Sequence, residues 1–246
     1  MKVLYLATGV FDKGGISRYS RYQIRGLRER FGAGNVYVMS LLPCRGDVFE
    51  EAIEVQKTFS GPTMPGKVHY ALQALWQSWR SRPDVVWANH VNLGPLAQMA
   101  ARLAGGRFVV NIYGREMWSG LGGARAKALR RADHIVSDCH FTARWTQDNL
   151  GMSADRMTVI WDCVDCERFT PGEPDAAVAE RYRVPLRDGR LRLMTLGRLE
   201  TGQMHKGYHR LIRALSEAGG TLAADLVIGG DGRARGQAGG PDRDCR

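Results

Sequence analysis

The sequence predicts a doubly wound α/β protein, and two observations carry that expectation. Short runs rich in β-branched residues, apolar on both faces, recur along the chain, as buried parallel strands do. Helical patterns separate them, so the strands need crossover connections with helices on both faces of a sheet. Strands are expected at Val3–Ala7, Val36–Ser40, Val85–Ala88, 108–112, His134–Ser137 and 157–161. The 246 residues suffice for one large domain or two small ones, at roughly 100–200 residues each.

The first run begins almost at Met1 and resembles a secretion signal. It is too short for one and breaks at Gly9 and Asp12-Lys13-Gly14-Gly15, so it reads as a core strand of a cytoplasmic protein. Gly14-Gly15 allows close approach of backbone to a ligand, with a plain tight turn as the equal alternative. The following Ile16-Ser17-Arg18-Tyr19 opens a helix, but the full dinucleotide fingerprint is missing. On that helix Arg18, Arg21, Arg25, Arg28 and Arg30 fall at helical spacing. They form either one solvated face or a patch for an anionic membrane or an anionic substrate.

A second helix is marked by Val68, Ala71, Leu72, Leu75, Trp76 and Trp79, and two more by 93–103 and 142–150. Two loops after strands carry polar groups: Asn89-His90-Val91-Asn92, and Tyr113-Gly114-Arg115-Glu116-Met117-Trp118. His90 could accept a proton near neutral pH or serve as a structural hydrogen-bonding group. Glu116 and Trp118 suit a hydroxylated acceptor, through a carboxylate and a stacking ring, and suit structural roles equally.

Two prolines and a glycine in Phe169-Thr170-Pro171-Gly172-Glu173-Pro174 interrupt the alternation. A short helix is expected at 176–182, then a new unit with strand Leu191–Leu196, helix 208–215 and strand 225–228. The expected organisation is a complete domain over 1–170, a linker over 171–185 and an incomplete second domain over 186–232. The last 18 residues, from Gly229 on, contain no Val, Ile, Leu, Met or aromatic residue, so 233–246 reads as a disordered tail.

The second unit carries the sharpest chemical signal. Its first strand ends in Gly197-Arg198, Lys206-Gly207 opens its helix, and its second strand ends in Gly229-Gly230-Asp231-Gly232. Arg binds phosphate oxygens bidentately, Lys supplies a point charge, and a helix N-terminus favours an anion. All three fall where open α/β sheets place their ligands, beyond the carboxyl ends of the strands. The expectation is a diphosphate site, against the alternative of two surface charges beside an ordinary loop.

The formal net charge of +10 fits nucleic acid, an anionic membrane surface or phosphorylated small molecules. Without a helix-turn-helix, zinc spacing or an aromatic-basic strand motif, nucleic acid is excluded. No run reaches the ~18 apolar residues of a membrane span. Five cysteines, Cys44, Cys139, Cys163, Cys166 and Cys245, are irregularly spaced, which argues against a disulfide framework. Cys163-Val164-Asp165-Cys166 lacks a second ligand pair, so no metal is expected.

Taken in order, Gly14-Gly15, Tyr113-Gly114-Arg115-Glu116, Ala132-Asp133-His134-Ile135-Val136-Ser137, Val164-Asp165 with Arg168-Phe169-Thr170-Pro171, and Gly197-Arg198-Leu199 with Lys206-Gly207 resemble the retaining family-four glycosyltransferases. The resemblance runs over about residues 1–232 and implies the two-domain GT-B fold. It implies sugar transfer from a nucleotide-sugar to a sugar, lipid-linked or other hydroxylated acceptor, with no bound metal or other cofactor. Peripheral contact with an anionic inner membrane surface is compatible with it. Arg198 and Lys206 match the family's donor-diphosphate cations, and Gly14-Gly15 its phosphate loop. Tyr113-Gly114 stands where many members have His-Gly, so either Tyr113 replaces that active-site His or His90 lies close by. The family's downstream pair of glutamates has no counterpart, so the second domain is expected to be truncated and the activity of this chain is left open. The competing expectation is a non-enzymatic module that binds an acceptor, a membrane or a partner through the N-terminal domain.

Overall fold

The computed structural model describes residues 1–12, 14–43, 53–184, 189–197, 199, 206–218, 222–230 and 232. The chain divides into two compact units, Met1–Asp165 and Cys166–Arg246.

The first unit is a seven-stranded, all-parallel sheet in the order β3-β2-β1-β4-β5-β6-β7. Its strands are β1 (Val3–Ala7), β2 (Val36–Ser40), β3 (Lys57–Thr58), β4 (Val85–Ala88), β5 (Arg107–Ile112), β6 (His134–Ser137) and β7 (Met157–Val159). The helices are α1 (Gly15–Phe31), α2 (Met64–Ser81), α3 (Gly94–Ala104), α4 (Arg115–Trp118), α5 (Gly123–Arg130) and α6 (His140–Leu150). Beyond the expected strands the structure adds β3, a two-residue edge strand too short to show any periodicity.

Successive residues of each strand point to opposite faces. Val3, Tyr5 and Ala7 of β1 pack with Val36, Val38 and Ile24, under α1. Leu4 and Leu6 pack with Val86, Phe108, Val110 and the small residues of α2, α3 and α5 on the other face. Right-handed crossovers dictate this split, because the strand order runs one way from β1 to β3 and the other way from β4 to β7. The strand order reverses between β1 and β4, and in such sheets ligands bind beyond the carboxyl ends of the strands at that point.

Two expectations about helices change in detail. The arginines of α1 do not form one solvated face: Arg21 is 1% exposed. It donates to the Val10 carbonyl at 2.7 Å and lies over the Phe11 ring. The apolar stripe of α2 forms its helix, but Gly66, Tyr70, Ala74 and Ser78 are the buried residues. Val68, Leu72, Trp76 and Trp79 point outward.

The second unit pairs β8 (Leu191–Leu196) with β9 (Ala224–Gly229) in parallel, Leu191 opposite Ala224 and Leu196 opposite Gly229. Helix α8 (Tyr208–Glu217) connects them, and α7 (Ala176–Arg181) precedes them with Asp175 capping Ala177 and Val178. Arg190 pairs with Asp225 at 3.1 Å across the start of the sheet. The expected tail, 233–246, lies outside the described residues.

Candidate active site

A buried polar network occupies the carboxyl ends of β1, β4 and β5. Asn111 sits in β5 between the apolar Val110 and Ile112 and is fully buried. Its Oδ1 accepts from Trp87 Nε1 at 2.8 Å, and its Nδ2 donates to Gln23 Oε1 at 2.7 Å and to the Tyr113 hydroxyl at 3.1 Å. Tyr5 also donates to Gln23 Oε1, at 2.8 Å. Asn89, at the end of β4, accepts from Thr8 N at 2.9 Å and donates to Ser20 Oγ at 3.0 Å, bridging the switch point. Every buried polar group here has a partner, which makes such a network rigid.

That network fixes Tyr113. Its phenol donates to the Asn89 carbonyl at 2.9 Å while it accepts from Asn111. Burial holds the phenol well above its ordinary ionisation range. A phenol so placed stays protonated and engaged in both hydrogen bonds. Its ring meets His90 and Tyr19, each with centroids 6.0 Å away.

His90 caps the short turn after β4: its Nδ1 accepts the Asn92 backbone N–H at 3.1 Å. The neutral ring therefore carries its proton on Nε2 and presents a donor. Burial pushes its pKa down, opposed by the Glu116 carboxylate and aided by Arg125, so the neutral form prevails near pH 7. Glu116 itself accepts from the backbone N–H groups of Tyr113 at 2.7 Å and Gly114 at 3.3 Å. Fully buried Met117 anchors α4, and the Trp118 ring lies over Gly114, where a Cβ would come within 2.9 Å of it. Tyr113, His90 and Glu116 are thus brought into one cluster.

Two carboxylates that sequence reading passed over stand on the same rim. Asp138 follows β6 and Asp162 follows β7, and burial raises the pKa of each. The negative fields of Asp162 and Glu116 add to burial in opposing the ionisation of Asp138. Asp138 Oδ1 is buried without a hydrogen-bond partner among the described residues. The available signal was an acid just beyond the end of two consecutive strands, Ser137-Asp138 and Trp161-Asp162, and an Asn within an apolar strand at 111. Among the described residues, no group of three His, Cys, Asp or Glu is arranged to hold a metal.

Gly14 and Gly15 are exposed at the start of α1, with no side chain capping its first turn and no atom within 4 Å of a Cβ placed on Gly15. Backbone can be approached closely there. Nearby, Ser17 Oγ donates to Asp12.

In the second unit, Lys206 lies beside the end of β8: a Cβ on Gly197 would be 3.9 Å from its Cγ. Gly207, with φ 81°, turns the chain from Lys206 into α8. At the end of β9, Gly230 has φ 145° and any Cβ there would overlap the Gly197 carbonyl. Gly232, with φ 148°, abuts the Leu199 carbonyl in the same way. Gly230 and Gly232 therefore lie backbone against backbone with Gly197 and Leu199, and the exposed Lys206 stands beside Gly197. Arg198 and Asp231 lie outside the described residues.

This architecture is that of the GT-B glycosyltransferases. HepE of Anabaena, solved in complex with UDP, superposes with a TM-score of 0.65 at 12% identity, covering 96% of this chain and 71% of that one. The lipopolysaccharide outer core galactosyltransferase WaaB gives 0.61 at 17% identity, covering 97% and 63%. Sucrose-phosphate synthase from Thermosynechococcus elongatus gives 0.59 at 14% identity, covering 96% and 64%. No curated protein matches the sequence. The model of Glycosyltransferase Family 4 matches residues 13–168, and the chain belongs to that family.

Proposed function

We propose that the chain takes part in transfer of a sugar from a nucleotide-sugar, a UDP-sugar foremost, to a sugar, lipid-linked or other hydroxylated acceptor. The observation that carries this reading is the close backbone contact of Gly230 with Gly197, which lies beside Lys206. It supports a diphosphate resting on backbone N–H groups with a fixed cation at its side. HepE, of the same fold, was solved with UDP and with UDP-glucose. In this reading Arg198 and Lys206 hold the donor diphosphate and stabilise charge on the leaving group, without a metal. Gly14-Gly15 offer open backbone to a phosphate at the start of α1. His90 donates from Nε2 to a sugar oxygen, Tyr113 positions it, and Glu116 accepts from an acceptor hydroxyl. Transfer proceeds with retention of anomeric configuration, and the reaction is cytoplasmic.

Incubation of the chain with UDP-glucose and glycan acceptors tests this by release of UDP. Proton NMR of the product then reads the anomeric configuration. An α-linked product from the α-linked donor is expected. An inverted product removes the retaining assignment, and UDP release indistinguishable from the protein-free control removes the transferase reading.

A further inference from the structure

Helix α2 turns the wrong way for a helix that exists only to cover a sheet. Its small residues and Tyr70 face the core, and its large apolar residues face out. Met64, Val68, Leu72, Trp76 and Trp79 are 70%, 52%, 62%, 43% and 57% exposed. At 100° per residue they occupy the sector opposite Gly66, Tyr70, Ala74 and Ser78. Its neighbour α3 repeats the arrangement, burying Gly94, Ala97, Ala100 and Ala101 while Met99 and Leu103 stand exposed. Single exposed apolar residues are ordinary, but a continuous row along one helix with a second row beside it marks a binding surface.

The charges around this surface identify the partner. From the start of α2 to the end of α3 the Lys, Arg, Asp and Glu residues are four cations, Lys67, Arg80, Arg82 and Arg102, and one acid, Asp84. Asp84 is engaged by the Lys2 backbone N–H at 2.6 Å. Lys67, Arg80, Arg82 and Arg102 are exposed on or at the ends of α2 and α3. Lys57 and Arg80 both stand over Trp76, at 5.6 and 5.3 Å from its ring centre. Exposed Trp rings with long basic side chains beside them are the composition of an element lying in a membrane interface. A second copy of this chain would bring the same cations face to face across a two-fold axis, without acids to answer them.

We propose that the α2–α3 face docks on an anionic lipid surface, with the row from Met64 to Trp79 entering the headgroup region and the flanking cations meeting lipid phosphates. This surface is formed by the first unit alone and does not depend on the nucleotide-sugar reading. The experiment uses the full chain without nucleotide and phosphatidylcholine vesicles with and without phosphatidylglycerol. Sedimentation with vesicles measures binding, and the tryptophan emission maximum measures insertion. Binding to the anionic vesicles, weakened by salt, with a blue shift, is expected. The Leu72→Gln/Trp79→Gln pair should weaken it at least about tenfold, and Lys67→Glu/Arg80→Glu should remove the preference for anionic lipid. Because all four positions are exposed, circular dichroism of both variants should match the parent. Equal vesicle binding by parent and Leu72→Gln/Trp79→Gln overturns the proposal. So does a concentration-dependent dimer that the same pair abolishes while vesicles bind neither protein.

Discussion

Asn111 stands inside a strand whose neighbours are Val110 and Ile112, and it satisfies Trp87, Gln23 and Tyr113 at once. Replacement by Ala strands several buried polar groups. Asn111→Ala should cost about 3 kcal/mol or more in urea unfolding and release Tyr113 from its place. His90 predicts a pH dependence. Its folded pKa lies below the ordinary value of 6.5, chiefly because it is buried. Between the two values the unfolded chain binds more protons, so stability falls as the pH drops through 6.5 into that window and is fully present above it. His90→Asn keeps a side-chain acceptor for Asn92 N and removes the titration. The loss of stability between neutral and mildly acidic pH should therefore be smaller in His90→Asn, as read by denaturant midpoints. The role of His90 was only half legible in the sequence. Its position after a strand was visible, but the tautomer depends on the Asn92 N–H, which only the folded turn places.

Elements were far more legible than residues. Val3–Ala7, Val36–Ser40, Val85–Ala88 and His134–Ser137 appear with the expected bounds, because each is a short β-branched run closed by loop residues. In the second unit Leu191–Leu196 does the same. The direction a helix faces was not legible. Periodicity located α2, but its apolar row reads identically whether turned in or out. What decides is close approach: Ala74 and Ser78, fully buried, let α2 lie near the core and α3, and a Cβ on Gly66 would come within 2.6 Å of the Gly61 carbonyl. The α1 arginines mislead for a related reason, since Arg21 shares their spacing yet is paired in the interior. The orientation of α2 has a direct test. Ala74→Leu forces added volume into a site with 0% exposure and should cost about 1–3 kcal/mol, whereas Leu72→Ala should stay within about 0.5 kcal/mol. Thermal or urea unfolding of the two variants reads the difference.

At the scale of the whole molecule, alternation of strands and helices was enough for the α/β class, and ordered motifs were enough for the family. The family match over residues 13–168 lies almost wholly in the first unit, where the Asn111 network, His90, Tyr113 and the carboxylate rim are found. The expected phosphate cations belong to the second, where Lys206 stands beside Gly197. Sequence could place Lys206 at a helix start. It could not reveal that Gly230 and Gly232 press on the backbone of Gly197 and Leu199, since that contact joins residues more than thirty positions apart. This chain spans 63–71% of the three structures compared with it, so whether the chain itself binds a nucleotide decides the account. Calorimetric titration of UDP into the full chain measures that directly. Saturable, salt-sensitive binding is predicted, weakened about tenfold or more by Lys206→Ala. Absence of UDP binding by the parent chain, or equal affinity of Lys206→Ala, would contradict it.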